Sequence, residues 1–133
     1  MCNSSPFVDD DFCFACGPRN PAGLHLDIRA QGGTCEISWT PGREYQGYSG
    51  VLHGGIASTV MDEAMAYSCI SLAGPCATAE ISVRYRVPVL TGVPLVVRAT
   101  ASRIRGRVLG AEAELTQEGQ VRCTASARFI SSQ

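Results

Sequence analysis

Two carboxylates, Asp62 and Glu63, stand side by side in an otherwise apolar stretch, and His53-Gly54-Gly55 lies nine residues before the first of them. Ile56, Val60, Met61, Ala64, Met65, Ile70 and Leu72 predict a helix over about 54–72 with almost no polar face. A helix apolar nearly all round is a buried one, and a charge buried in it is costly. A salt bridge, a subunit contact or chemistry would each account for the acids. The His-Gly-Gly start bears on chemistry. The first N–H groups of a helix have no partner within it and lie at the positive end of its dipole. Glycine lets another molecule approach that backbone closely.

The elements that must position these residues follow from periodicity. Residues 1–23 are polar and turn-rich, with Gly17-Pro18 and Asn20-Pro21 as breakers, and read as an irregular arm. Residues 24–28 and 34–39 alternate apolar and polar around Gln31-Gly32-Gly33, a hairpin pattern. Residues 40–52 hold Pro41, Gly42, Gly47 and Gly50 and read as a long loop, and Gly74-Pro75 ends the helix. Alternation then returns over 81–87, 95–102, 108–116 and 121–130, with Glu118-Gly119 as the last turn. The order ββ–helix–ββββ implies one α+β domain over 1–133, an antiparallel sheet of five to six strands with one long helix on a face. Such a sheet is too large for one helix to cover, so its other face or its edge should meet a partner.

Composition narrows the function classes. A net charge of −1 offers no electrostatic basis for binding nucleic acid or an anionic membrane. No run of about 18 apolar residues predicts a membrane span. Met1-Cys2-Asn3-Ser4-Ser5-Pro6 lacks the basic and apolar regions of a secretory signal. The seven cysteines, at 2, 13, 16, 35, 69, 76 and 123, are odd in number, and several fall in apolar patterns, where Cys acts as a small hydrophobe. A reducing cytoplasm without a disulfide framework is the expectation.

One buried helix wrapped by a long antiparallel sheet, opened by His53-Gly54-Gly55 and carrying Asp62, resembles the hotdog-fold acyl-CoA thioesterases. The likeness covers roughly residues 24–130. It is strongest to the phenylacetate-pathway branch of the 4-hydroxybenzoyl-CoA thioesterase superfamily. The arm from Cys13 to Leu24 also resembles a leader found on many small hotdog proteins. The resemblance implies hydrolysis of a small or medium acyl- or aryl-CoA to free acid and CoA, with no metal or organic cofactor, CoA being part of the substrate. Thioester hydrolysis puts negative charge on the carbonyl oxygen, so the Gly54 N–H is the expected oxyanion donor and Gly55 its helper. Asp62 is implied as general base or nucleophile, a choice the residues leave open. His53 is expected to orient the loop or the thioester. Thr78, ten residues before Pro88, stands where relatives carry a hydroxyl that holds the attacking water. The chain departs from several relatives at Gly47, where they have Asn, and the adjacent Gln46 is the expected substitute. Glu63, about 100° around the helix from Asp62, is expected to pair with an arginine or to act as an alternative acid.

Spacing adds a deduction. Gly54 and Asp62 are eight residues apart, about 12 Å along a helix, yet both must come within about 3 Å of the reacting atoms. One straight helix cannot supply both. A two-fold homodimer with neighbouring antiparallel helices can, giving two composite sites, and such dimers can pair further into a dimer of dimers.

Arg103, Arg105 and Arg107 surround Gly106 at a predicted turn and suit the phosphates of CoA, with Arg84 and Arg86 as weaker candidates. Cys13 and Cys16 form a single C-x-x-C. A zinc ion would have to recruit His25, Cys35 or a partner chain's pair, so a packed arm without metal is the expectation. Two rival functions stand beside the thioesterase. An acyl-thioester hydratase or dehydratase needs a His/acid pair poised at Cα–Cβ, which the His-Gly-Gly start argues against. A non-catalytic acyl-CoA binder would be indifferent to Asp62→Asn.

Overall fold

In the computed structural model, which describes residues 6–132, six antiparallel strands form one sheet around a single helix. The strands are β1 (Asp27–Gln31), β2 (Thr34–Trp39), β3 (Cys76–Tyr85), β4 (Leu95–Arg105), β5 (Val108–Gln117) and β6 (Gln120–Ser131), and the helix is α1 (Gly54–Ala73). Their order across the sheet is β1-β2-β4-β5-β6-β3. α1 packs against all six strands. This is the hotdog arrangement, and its helix matches the predicted span to within a residue.

Alternation explains which face turns inward. Leu109, Ala111, Ala113, Leu115 and Gln117 of β5 are buried, while Glu112 and Glu114 between them are exposed. On β6 Cys123, Ala125, Ala127, Phe129 and Ser131 point the same way. They meet Val60, Met61, Met65 and Cys69 of α1, all fully buried. Cys35, Cys69 and Cys123 are core residues, and every cysteine among the described residues is free. Cys2 and the N-terminal residues read for a signal lie outside the described residues. Among the described residues no helix is long and apolar enough to cross a membrane.

The elements depart from their predicted bounds where partners override pattern. β1 begins at Asp27, three residues late. Leu24 and Leu26 are buried as their alternation implied, but their N–H groups donate to Phe14 O (2.9 Å) and Ala15 O (3.1 Å) of the arm, and His25 between them has φ 55°. β3 begins at Cys76 instead of 81. Its first half is made mostly of small residues, half-buried at Cys76 and Ala77 and exposed from Thr78 to Glu80, and it is a strand because its backbone pairs with β6, from Cys76↔Ser131 to Tyr85↔Cys123. Residues 86 and 87 fall outside it, although both their N–H groups donate to Arg122 O. β4 runs on to Arg105, so Arg103 and Arg105 end a strand and only the next two residues turn. The 40–52 loop contains a short 3-10 turn, Arg43–Tyr45. β1 and β3 are the two open edges of the sheet.

Gln117 ties the sheet to the β3–β4 connection, which in turn pairs with Val51 and Leu52 before the helix. It is 1% exposed; its carboxamide accepts from Leu90 N–H (2.8 Å) and donates to Leu90 O (2.9 Å) and Val93 O (3.0 Å). Replacing it leaves those backbone groups without partners, and buried groups in that state cost about 1–3 kcal/mol each. Gln117→Leu is expected to lower the unfolding free energy by about 2–4 kcal/mol in urea titrations; a loss under about 0.5 kcal/mol would show that these bonds carry no weight.

Candidate active site

The start of α1 is held from three directions. Leu52 N–H donates to Val89 O (2.7 Å), His53 N–H to Tyr45 O (2.9 Å) and Gly47 N–H to Val51 O (2.8 Å). His53 then caps the helix: its φ of −58° and ψ of 132° are non-helical, and its Nδ1 accepts from the Gly55 N–H at 2.9 Å. Cap positions usually carry Ser, Thr, Asp or Asn; a ring nitrogen does the same work here. Because Nδ1 accepts, the ring proton sits on Nε2. The His53 carbonyl takes the next two donors, Ile56 N–H and Ala57 N–H, both at 3.0 Å.

These bonds correct one expectation. The Gly55 N–H is engaged by His53 and is not open to a substrate. In the first turn only the Gly54 N–H has no acceptor among the described residues. Gly54 is fixed from its other side by Tyr85, whose hydroxyl donates to Gly54 O at 2.8 Å. Nothing in the sequence pattern of β3 marked Tyr85 for this, since the contact spans 31 residues.

Gly54 lies on the wall of a cleft of about 560 Å³, lined also by Tyr48, Val51, Leu52, Ala57, Val87 and Val89. The lining is mainly apolar. Tyr85 and Arg86 complete one side, His53 and Gly47 another. Arg86, rated below the later arginines, is thus the arginine that the fold brings to Gly54. Arg103, Arg105 and Arg107 are elsewhere in the chain. Arg107 O accepts from Ser131 N–H, and Ser131 pairs with Cys76, just past the end of α1. Arg103 donates to Gly106 O at 2.6 Å. A 20-residue helix, about 30 Å long, separates this turn from Gly54. Gln46 braces the loop before the helix, its Oε1 accepting from Gly50 N–H at 3.2 Å, and it shares a shallow depression with His53 and Gly55.

Asp62 sits half-buried in the middle of α1. Thr78 Oγ1 donates to its Oδ1 at 2.8 Å, so two residues 16 apart in sequence meet, and the hydroxyl expected to hold a water bonds the carboxylate itself. Burial raises the Asp62 carboxyl above the ordinary carboxylate range, and the Thr78 bond pulls it partly back. The ion pairs among the described residues are Arg29–Asp27, Arg98–Glu36 and Arg122–Glu118, so no cation compensates Asp62. Asp62 does not line the cleft at Gly54. The chain does not bring its own Gly54 and Asp62 together.

Among the described residues Glu63 has no arginine partner either, which corrects the first of its two expected roles. It faces the arm, where Cys13 Sγ donates to Glu63 Oε2 at 3.7 Å. Burial raises its carboxyl, as it does that of Asp62. Burial and the neighbouring carboxylate push the Cys16 thiol up to about 12, and Cys16 Sγ lies 3.3 Å from the Tyr67 hydroxyl.

Comparison with known proteins agrees with this architecture. The family model of the thioesterase superfamily matches residues 49–124. A conserved protein of Pseudomonas aeruginosa superposes with a TM-score of 0.75 at 25% identity, over 80% of this chain and 88% of that one. A phenylacetic acid degradation-related protein of Ralstonia eutropha gives 0.73 at 24% identity, over 80% and 85%. A hypothetical thioesterase protein of Streptococcus pneumoniae, solved with coenzyme A, gives 0.74 at 19% identity, over 79% and 86%. No curated protein matches the sequence.

The Thr78 bond makes a measurable difference to Asp62. Thr78→Val removes the one interaction that lowers this carboxyl and leaves the burial that raises it. In carbon-13 NMR titrations Asp62 is expected to protonate at higher pH in the variant than in the parent; an unchanged or lower titration point would contradict the assigned bond.

Proposed function

Because the chain belongs to the thioesterase superfamily, we propose that it hydrolyses a small or medium acyl- or aryl-CoA thioester to the free acid and CoA. The observation that carries this reading is the Gly54 N–H, the one unengaged donor of the first turn, opening onto an apolar cleft. The acyl chain occupies the cleft and its carbonyl oxygen accepts from Gly54. As water adds to the carbonyl carbon, negative charge builds on that oxygen, at the positive end of α1, where a preorganised donor is worth most.

The acid comes from the second copy. Asp62 of the partner subunit takes a proton from the attacking water, or attacks the carbonyl itself; Thr78 holds one carboxylate oxygen and leaves the other to react. Burial raises the carboxyl toward the range in which a base accepts a proton usefully at neutral pH. Collapse of the intermediate expels the CoA thiolate, which leaves as the thiol once protonated; where Asp62 has attacked, water then hydrolyses the acyl-Asp62 anhydride to the free acid and restores the carboxylate. The open edge of β3, the strand that carries Thr78, supports an isologous dimer, since two such edges can pair antiparallel across a two-fold axis. Coenzyme A in the S. pneumoniae structure supports the choice of thioester. Arg86 at the cleft is the first candidate for a CoA phosphate, and the 103–107 turn would reach one only from the partner subunit.

Two substitutions test the roles separately over a panel of CoA esters. Asp62→Asn is expected to lower kcat by about a hundredfold or more. Gly54→Pro removes the donor, putting a ring methylene on the nitrogen in place of its hydrogen. Proline is tolerated at the first helical position, and the extended backbone of His53 suits a residue preceding proline. A Cβ at Gly54 would meet Tyr85 at an ordinary 3.6 Å. A loss of about 10² to 10³ in kcat with unchanged circular dichroism is expected. If both variants match the parent, the assigned chemistry is wrong; if the parent binds CoA esters and cleaves none, it is a binding protein.

A further inference from the structure

We propose that Cys13, Cys16 and Glu63 form a site for one zinc-class divalent cation that fastens the N-terminal arm to α1 beside Asp62. The inference is independent of thioester chemistry. One sulfur from each cysteine and one carboxylate oxygen all lie within 4.8 Å of one another, and Cys13 Sγ is 3.7 Å from Glu63 Oε2. Ligand atoms around a tetrahedral zinc, at about 2.3 Å for sulfur and 2.0–2.2 Å for oxygen, stand roughly 3.5–3.8 Å apart. Small side-chain rotations close the cluster to that spacing.

The loop that carries the cysteines is shaped around sulfur. Ala15 N–H donates to Cys13 Sγ at 3.3 Å, and Gly17 N–H to Cys13 O at 2.8 Å. A Cβ on Gly17 would lie 2.3 Å from the Cys13 backbone nitrogen, so the turn that sets both thiols on one side requires glycine there. Amide bonds to a ligand atom orient it for the metal.

Charge and access point the same way. Among the described residues no Lys, Arg or His pairs with Glu63, and a divalent ion would supply the missing positive charge. Cys16 borders a cavity of about 570 Å³ that also holds Asp9, Asp11 and Asp27, a mouth whose field draws in cations. Two sulfurs with one oxygen favour zinc or cobalt over magnesium or calcium, and the fourth position falls to water. The ligands foreseen as recruits are otherwise placed: His25 Nε2 bonds Asn20 O at 2.7 Å, and Cys35 is buried on β2.

The test is a cobalt titration of the full chain, untagged, metal-free and fully reduced. A sulfur-to-cobalt charge-transfer band is expected to saturate at about one ion per chain and to vanish on adding zinc. Cys13→Ser and Cys16→Ser should abolish it, Glu63→Gln should weaken binding about tenfold or more, and Cys76→Ser, outside the cluster, should keep it. Absence of the band in the reduced parent protein, which needs no variant to fold, overturns the proposal. So does a band that survives loss of both cysteines, or cysteines 13 and 16 found joined as a disulfide that excludes cobalt.

Discussion

Helix geometry holds Gly54 and Asp62 of one chain about 12 Å apart, and the account of this site depends on that distance. The two residues have complementary capacities. One offers an unengaged backbone donor at the positive end of a dipole, the other a carboxylate that burial has made more basic. Neither capacity is useful to the other within a single α1. The open edge of β3, next to Asp62 through Thr78, is one of the two sheet edges with backbone groups left to pair.

The cap explains why the donor is single. His53 could have left two glycine N–H groups exposed, but its ring takes one and its carbonyl takes the two that follow. What remains is one amide on a residue that lines the cleft, braced by Tyr85 and from the loop side by Tyr45 and Val89. A rigid donor of this kind needs no reorganisation when charge develops, which is the source of its effect. The second acid, Glu63, faces away from this chemistry toward the sulfurs of the arm, so adjacent carboxylates serve different surroundings.

Much of this was legible in the residues. The strands β5 and β6 follow from alternation, because one face of each is buried and the other wet; the helix follows from a long run apolar nearly all round, and the last turn from Glu118-Gly119. Thr78 was singled out through resemblance as a holder of water; its bond to Asp62 was not foreseen. What was not legible depends on contacts distant in sequence. The first half of β3, mostly small residues with none fully buried, is a strand because β6 lies alongside, and Leu24 and Leu26 pair with the arm instead of β2. Tyr85 at Gly54, Arg86 in the cleft and the meeting of Glu63 with Cys13 and Cys16 belong to the same class. Single-residue chemistry suggests candidates, and the fold decides which of them meet.

The central claim, that each site takes Gly54 from one chain and Asp62 from the other, is tested most directly by subunit complementation. Gly54→Pro and Asp62→Ala proteins, each inactive alone, are mixed after reversible dissociation and assayed against a CoA ester that the parent cleaves. A hybrid dimer carries one intact composite site, so random exchange of equal amounts should restore about a quarter of parental activity. If hybrids form, as shown by mass, and activity stays at the level of the separate variants, the donor and the acid act within one chain and the account is contradicted.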